Sequence, residues 1–377
     1  MTTVDLIPEE QQETAPPPPR LGGIDHLEWW VGNARSTAGF FAAAFGFDIV
    51  AYAGPETGVM DRVSYVLTHG DIRFVVTGAL GPDSPIAAHV RAHGDGVRDV
   101  AFLVDDAAGA YRAVVARGAA GVSAPEVTED GQGRMVRASV AAYGDTNHTF
   151  VERKDYGGLF APGYEASPLA RPVGPAVGLE RIDHVVANVE LGALDRWVDY
   201  YRRIFGFDQM VHFSDEAIST EYSALMSTVV WDGSKVVLPI NEPAEGRRKS
   251  QIEEYLDFYG CPGVQHIALR TDDIITAVRA LRERGVRFLQ VPPVYYEDAK
   301  VRMAGIDLPW EDLAEVGILV DRDQDGHLLQ IFTENVTDRP TVFFEIIQRA
   351  GAKGFGEGNF KALFEAIERE QAARGNL

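Results

Sequence analysis

Apolar residues recur along this chain at two different spacings, and the order of those spacings is itself repeated. Strand-like runs lie at 182–189, 222–230, 236–240, 264–269, 328–333 and 341–347. A helical stripe of Leu194, Trp197, Val198, Tyr201 and Phe205 follows the first run, and a second helix at 274–284 is stopped by Gly285. The segment 359–369 carries Phe360, Leu363, Phe364 and Ile367 at helical spacing and predicts an amphipathic terminal helix. The pattern is a strand, a helix and then several strands, twice over, which predicts an α+β fold.

The same signals occur earlier in the chain. Ile24-Asp25-His26 matches Ile182-Asp183-His184, and Phe45-Gly46-Phe47-Asp48 matches Phe205-Gly206-Phe207-Asp208. Gly96-Val97-Arg98-Asp99-Val100-Ala101 pairs with Gly263-Val264-Gln265-His266-Ile267-Ala268, and Phe150-Val151-Glu152 with Phe343-Phe344-Glu345. The offsets, 158, 160, 167 and 193, grow in one direction, so the halves are collinear and the second carries insertions, mostly between 292 and 320. Such a period is too long for a solenoid and indicates a duplicated domain. The expected boundaries are a disordered tail at 1–20, a first domain at 21–154, and a linker rich in Pro, Gly and Ala at 155–178. A second domain at 179–357 and a terminal helix at 358–377 follow.

Of the 377 residues, 46% are hydrophobic and 24% charged, enough apolar material for two cores. The net charge of −21 disfavours nucleic acid and anionic membranes as partners, and a bound cation would help to draw in an anionic substrate. Cys261 is the one cysteine, which fits a reducing cytoplasm. No apolar run approaches the ~20 residues of a membrane helix, and the N-terminus lacks the basic start and apolar core of a secretory signal.

Three polar residues interrupt apolar strands of the second half: His184, His266 and Glu345. By strand alternation His184 shares a face with Ile182 and Val186, His266 with Val264 and Ala268, and Glu345 with Phe343 and Ile347. An inward carboxylate is costly unless paired or metal-bound. Two imidazoles and a carboxylate are the donor set of the facial triad that holds non-haem Fe(II) with positions left open. A lone strand histidine is usually an ordinary core residue, but here all three fall at matched landmarks of two copies. The first half offers His26, Asp99 and Glu152 at these places. Asp99 replaces a histidine there, and a salt bridge to Arg98 or a turn role accounts for it, so no metal is expected in that half. Asp321-Arg322-Asp323-Gln324-Asp325-Gly326 mimics an EF-hand start, but its twelfth position is Phe332 instead of glutamate, so a tight acidic turn is expected. Gly354-Phe355-Gly356-Glu357-Gly358 lacks the preceding strand that a nucleotide loop needs.

Taken together, Val264-Gln265-His266-Ile267-Ala268, Leu238-Pro239-Ile240-Asn241-Glu242-Pro243, Gln330-Ile331-Phe332-Thr333, Arg339-Pro340-Thr341-Val342-Phe343-Phe344-Glu345 and the run from Gly354 to Phe364 resemble the 4-hydroxyphenylpyruvate dioxygenase family. The similarity runs from about Gly23 to the C-terminus, with His327 a local departure where an aromatic is expected. The resemblance implies a vicinal oxygen chelate fold, with two domains of repeated βαβββ units forming open barrels. It also implies one Fe(II) per chain on His184, His266 and Glu345. The implied substrate pocket comprises Ser227, Pro239, Asn241, Gln251, Gln265, Gln330, Phe332, Phe355, Asn359, Phe360 and Phe364. Amides and a hydroxyl would fix the phenol, Phe332 and Phe360 would sandwich the ring, and the terminal helix would act as a lid. Alternation puts Gln330 and Phe332 on one face but Gln265 opposite His266. The implied reaction converts 4-hydroxyphenylpyruvate and O2 to homogentisate and CO2, in tyrosine and phenylalanine catabolism, by a cytoplasmic dimer or tetramer. In the mandelate-forming relatives the equivalents of Pro239, Asn241 and Phe360 are Thr, Ile and Ile, so ring hydroxylation is expected here. An extradiol dioxygenase and a metal-free binding module are more distant alternatives. The first lacks the tail from Gly354, and the second is usually shorter and without a full triad.

Overall fold

The computed structural model describes residues 16–169, 176–213, 224–244 and 246–375, with the backbone alone at 212, 213, 224, 360 and 361. The first half runs β1 (Gly23–Trp30), α1 (Ala34–Phe45), β2 (Asp48–Ala53), β3 (Arg62–His69), β4 (Ile72–Ala79), α2 (Pro85–His93), β5 (Gly96–Leu103), α3 (Ala107–Ala116), β6 (Gly121–Asp130), β7 (Gly133–Ala141), β8 (Asn147–Glu152) and the short β9 (Glu165–Ala166). The second half opens with β10 (Leu179–Asn188) and α4 (Leu194–Tyr200), which tightens into a π-turn at Tyr201–Phe205. It continues with β11 (Asp208–Phe213), β12 (Ala224–Trp231), β13 (Val237–Ala244), α5 (Gln251–Tyr259), β14 (Gly263–Thr271) and α6 (Ile274–Glu283). Its last elements are α7 (Val294–Arg302), α8 (Trp310–Val316), β15 (Leu319–Arg322), β16 (His327–Phe332), β17 (Phe343–Ala350) and α9 (Glu357–Arg374).

The strand orders are β6-β7-β8-β5-β1-β4-β3-β2-β9 and β11-β12-β13-β10-β14-β17-β16-β15. Leaving β9 aside, the second order is the first read backwards. Each sheet is two βαβββ units joined at a central antiparallel pair, β1–β5 or β10–β14. The halves pack together through the face of the second sheet that Phe344 occupies. Its ring lies 4.8 Å from Phe45 and 6.1 Å from Trp29, centroid to centroid, within a first-half aromatic cluster. Phe343 and Glu345, one residue to either side, face the other way into a pocket. The insertion expected between 292 and 320 forms α7 and α8. No helix among the described residues is long and apolar enough to cross a membrane.

The central pairs contain β-bulges at matched positions. Ile24 pairs with Phe102 and His26 with Ala101, leaving Asp25 as an extra residue; Ile182 pairs with Leu269 and His184 with Ala268, leaving Asp183. On the partner strands Arg98 and Gln265 are the extra residues. A bulge re-aims side chains next to it. Gln265 and His266 therefore reach the same pocket, contrary to simple alternation.

The structure departs from the sequence pattern at three places. First, β8 and β17 match three residues away from the register read in the sequence. Asp99 pairs with Asn147 and Phe102 with Phe150, as His266 pairs with Phe343 and Leu269 with Ile346. The counterpart of Glu345 is thus Thr149, not Glu152. Glu152 instead accepts from the backbone N–H of Ala107 at the start of α3, as Gln348 accepts from Ile274 at the start of α6. Second, Asp99 does not pair with Arg98. It is buried and accepts from the backbone N–H and the hydroxyl of Thr149, while the Arg98 guanidinium lies over the Trp30 ring. Third, one part of the expected linker packs into the first half. Phe160 and Ala161 pack with Val66, Val75, Ala101 and Val151, filling the first barrel, and β9 adds an edge to β2. The tail expected to be disordered lies mostly outside the described residues, although Pro16 accepts a hydrogen bond from Arg117.

Burial pushes the Asp99 carboxyl up to about 7, against which the Thr149 hydrogen bonds act only in part. A carboxyl raised above its unfolded value favours folding at low pH and loses that contribution as pH climbs through the folded value. Asp99→Asn should therefore flatten the stability profile between pH 4 and 7. It should also be more stable than the parent at pH 8, by roughly 2–4 kcal/mol. Denaturant midpoints at pH 5 and 8 check this; equal slopes in the two chains contradict it.

Candidate metal centre

His184, His266 and Glu345 stand on three adjacent strands, β10, β14 and β17, and their donor atoms lie within 4.8 Å of one another. His184 Nε2 is 3.2 Å and His266 Nε2 3.6 Å from the same oxygen, Glu345 Oε2. All three side chains are buried or nearly so. The far nitrogen of each ring is fixed by a bulge residue. His184 Nδ1 lies 2.9 Å from Asp183 Oδ1, and His266 Nδ1 3.0 Å from Gln265 Oε1. With Nδ1–H donated outward, both Nε2 atoms converge on Glu345, the orientation a metal-ligating pair requires. Arg349 closes the chain. Its Nε and Nη2 donate to the two oxygens of Asp183 at 2.9 and 2.8 Å, and its Nη1 donates to the carbonyl of Gly354 at 2.6 Å.

The charges follow from this geometry. Burial alone would raise Glu345, yet the two imidazoles hold its carboxyl well below the usual range. Burial alone would lower His184, yet Glu345 and Asp183 hold its proton well above the ordinary histidine value. Burial and the neighbouring His184 push His266 down. Arg349 and His184 keep Asp183 ionised against its burial. A proton on His184 therefore answers Glu345 where a cation would. The donor chemistry, the convergence and the burial all fit a divalent metal.

The pocket beside the triad is a small, partly open cavity of about 60 Å³. Strand periodicity fills its wall: Leu225, Ser227 and Val229 from β12, Pro239 and Asn241 from β13, and Gln330 and Phe332 from β16. Gln251, Gln265, Phe355 and Phe364 also line it. Gln330 Oε1 is buried with no hydrogen-bond partner. Asn359 is corrected: it does not line this pocket, and its Oδ1 accepts from the Tyr295 hydroxyl at 2.5 Å. The side chain of Phe360 lies outside the described residues. Asp183 and Arg349 were missed in the sequence, although the repeated Ile-Asp-His at 24–26 and 182–184 marked the aspartate.

The first half carries the same surroundings without the third donor. Asp25 holds His26 Nδ1 at 2.7 Å, Arg153 clasps Asp25 at 2.7 and 2.6 Å, and the Arg153 guanidinium stacks on Phe160 as that of Arg349 stacks on Phe355.

Two curled sheets of βαβββ units with a histidine–carboxylate cluster in one of them define a class. A sequence model of the Glyoxalase/Bleomycin resistance protein/Dioxygenase superfamily matches residues 23–152 and 181–331. The chain is 47% identical to the 4-hydroxyphenylpyruvate dioxygenase of Yarrowia lipolytica, over 94% of this chain and 93% of that one. It is also 47% identical to the 4-hydroxyphenylpyruvate dioxygenase of Dictyostelium discoideum, over 95% of this chain and 100% of that one. Among solved structures, a mutant 4-hydroxymandelate synthase from Streptomyces coelicolor superposes with a TM-score of 0.82 at 37% identity, covering 94% of this chain and 99% of the other. The chain belongs to that superfamily and, within it, to the 4-hydroxyphenylpyruvate dioxygenase family.

Because His184 holds a proton in the metal-free site, uptake of a divalent cation near pH 7 should release about one proton. Affinity should weaken as pH falls, and the release should vanish once pH exceeds the raised His184 value. Arg349→Met leaves Asp183 buried without its cation and should cost about 10–100-fold in metal affinity. Calorimetry in buffers of different ionisation enthalpy measures both quantities. Uptake with no proton released, or an unchanged affinity in the variant, contradicts the assignment.

Proposed function

We propose that this chain converts 4-hydroxyphenylpyruvate and dioxygen to homogentisate and carbon dioxide, using one iron(II) held by His184, His266 and Glu345. The observation that carries the reading is the convergence of this triad with a hydroxyl and several amides in one otherwise apolar pocket. Iron, when bound, supplies the Lewis-acid and redox chemistry toward the 2-oxo acid and dioxygen.

The rest is the work of the chain's own residues. One carboxylate against a divalent ion leaves a net positive charge, which draws an anionic 2-oxo acid into an otherwise acidic protein. Ser227, Asn241, Gln251 and Gln330 are uncharged donors and acceptors, suited to a neutral phenol. Gln330 Oε1, free of any partner, can accept a hydrogen bond from its hydroxyl. Phe332, Phe343, Phe355 and Phe364 enclose the ring and exclude water. Gln265, through its contact with His266 Nδ1, positions a ligand as well as lining the pocket. Leu363 and Phe364 carry α9 over the pocket, and Arg374 clasps Glu254 of α5 at 2.7 Å. This helix is the lid. A cytoplasmic homodimer or homotetramer accompanies the same reading.

The structural neighbour, a mutant of a 4-hydroxymandelate synthase, sets the second reading. Here Asn241 can bond the phenol end and hold the ring for hydroxylation, which an Ile at that place cannot do. Such a bond contributes on the order of 1 kcal/mol, and roughly 1.4 kcal/mol is tenfold in a branch ratio. Chromatography of the wild-type reaction should give mainly homogentisate, and Asn241→Ile should divert part of the flux to the benzylic product. Mainly 4-hydroxymandelate from the wild type would overturn the reading. Truncation before Gly354 should abolish turnover while the core stays folded with its iron, as metal analysis and circular dichroism can test. Near-normal turnover by the truncated chain rules out the lid.

A further inference from the structure

A second group of metal-competent side chains lies outside the pocket: His89 and His93 on α2, and Asp145 in the turn between β7 and β8. Four residues apart on one helix, the two imidazoles share a face. His89 Nδ1 is 3.2 Å and His93 Nε2 3.1 Å from the same oxygen, Asp145 Oδ2. The other nitrogen of His93, Nδ1, lies 2.5 Å from the carbonyl of Tyr259, which can only accept. The proton of neutral His93 therefore sits on Nδ1, and its Nε2 lone pair faces a carboxylate oxygen. Two acceptors at that distance are reconciled by a proton or by a metal ion between them. His89 is buried and its Nε2 has no partner, so the ring is set by the Asp145 side alone.

We propose that His89, His93 and Asp145 form a second metal site, for a divalent cation of the zinc class, that braces the seam between the two halves. Two imidazoles and a carboxylate suit such an ion, with water as the fourth ligand. The second-sphere contact from Tyr259 supplies the orientation that ligating histidines usually have. Asp145 is half-exposed, so the ion has a route in from solvent. The site spans both halves. Its ligands belong to the first, while Tyr259, whose ring stacks on His93 at 4.9 Å, belongs to the second. Tyr259 ends α5, which carries Gln251, and the turn after it leads into β14, which carries Gln265 and His266. A cation here pins the turn from which two walls of the pocket extend.

The test is a count of Co2+ bound by the untagged, metal-stripped full-length chain after equilibrium dialysis. Wild type should hold two ions per chain. Asp145→Asn and His93→Gln, both conservative and away from the pocket, should each hold one, and His184→Ala should hold one, the seam ion. In the His184→Ala chain, Zn2+ should slow hydrogen exchange at residues 259–263, and Asp145→Asn in that background should abolish the effect. A wild-type count of one overturns the proposal, as does a second ion retained by both Asp145→Asn and His93→Gln. Unchanged exchange at 259–263 overturns the bracing role.

Discussion

Glu345 places a negative charge inside an apolar barrel, and the surrounding architecture answers that charge. A buried carboxylate costs several kcal/mol unless it is paired and hydrogen-bonded. His184 and His266 face it, Asp183 and Gln265 hold the two rings, and Arg349 balances Asp183. Charge alternates along the whole series from guanidinium to carboxylate. The bulges make this possible, because each inserts the residue that holds the far side of a ring whose near side faces the site. A cation in place of the His184 proton would complete the series.

The first half shows how little separates a site from a core. Its Asp25, His26, Arg153 and Phe160 reproduce the frame, down to the edge-on contact of histidine and phenylalanine, 5.2 Å there and 5.4 Å in the second half. Thr149 stands where Glu345 would be and satisfies Asp99, and Phe160 and Ala161 fill the space that is pocket in the second half. The frame belongs to the duplicated fold, while the charge and the empty volume belong to one copy.

The duplication, six of the eight described strands of the second half and the triad were legible because each rests on local pattern: a period of two, a repeated tripeptide, a polar residue where an apolar one is due. The pocket residues were named through the family resemblance, and strand alternation supported only the shared face of Gln330 and Phe332. What escaped depended on register. An offset of three in β8 put Glu152 in the place of Thr149, since both segments are apolar and similar in composition, and only the ladder fixes the pairing. The face of Gln265 was misread because a bulge leaves no mark in residue periodicity. The segment after β8 passed as linker because its glycines and prolines outweigh Phe160, whose burial is a matter of tertiary packing. Asn359 lies on a polar turn of α9, where spacing alone does not separate a pocket residue from one bonded to Tyr295.

The acidic turn at 321–326 has a mechanical consequence for α9. Asp323 accepts the backbone N–H groups of Lys353 and Gly354, and Asp321 accepts that of Gly358. Gly356 has φ of 77°, and a Cβ there would come within 2.2 Å of Gln330 Oε1, so the chain is seated tightly at this point. The glycines before the helix are thus a fixed fulcrum rather than a slack joint. A helix of 18 residues is ~27 Å long, so a tilt of ~15° about that fulcrum carries its far end through ~7 Å. At that far end the Arg374–Glu254 clasp holds α9 to α5. In such a tilt Leu363 and Phe364, ~11 Å from the fulcrum, would travel only ~3 Å, so the clasp at the far end would govern a small displacement over the pocket.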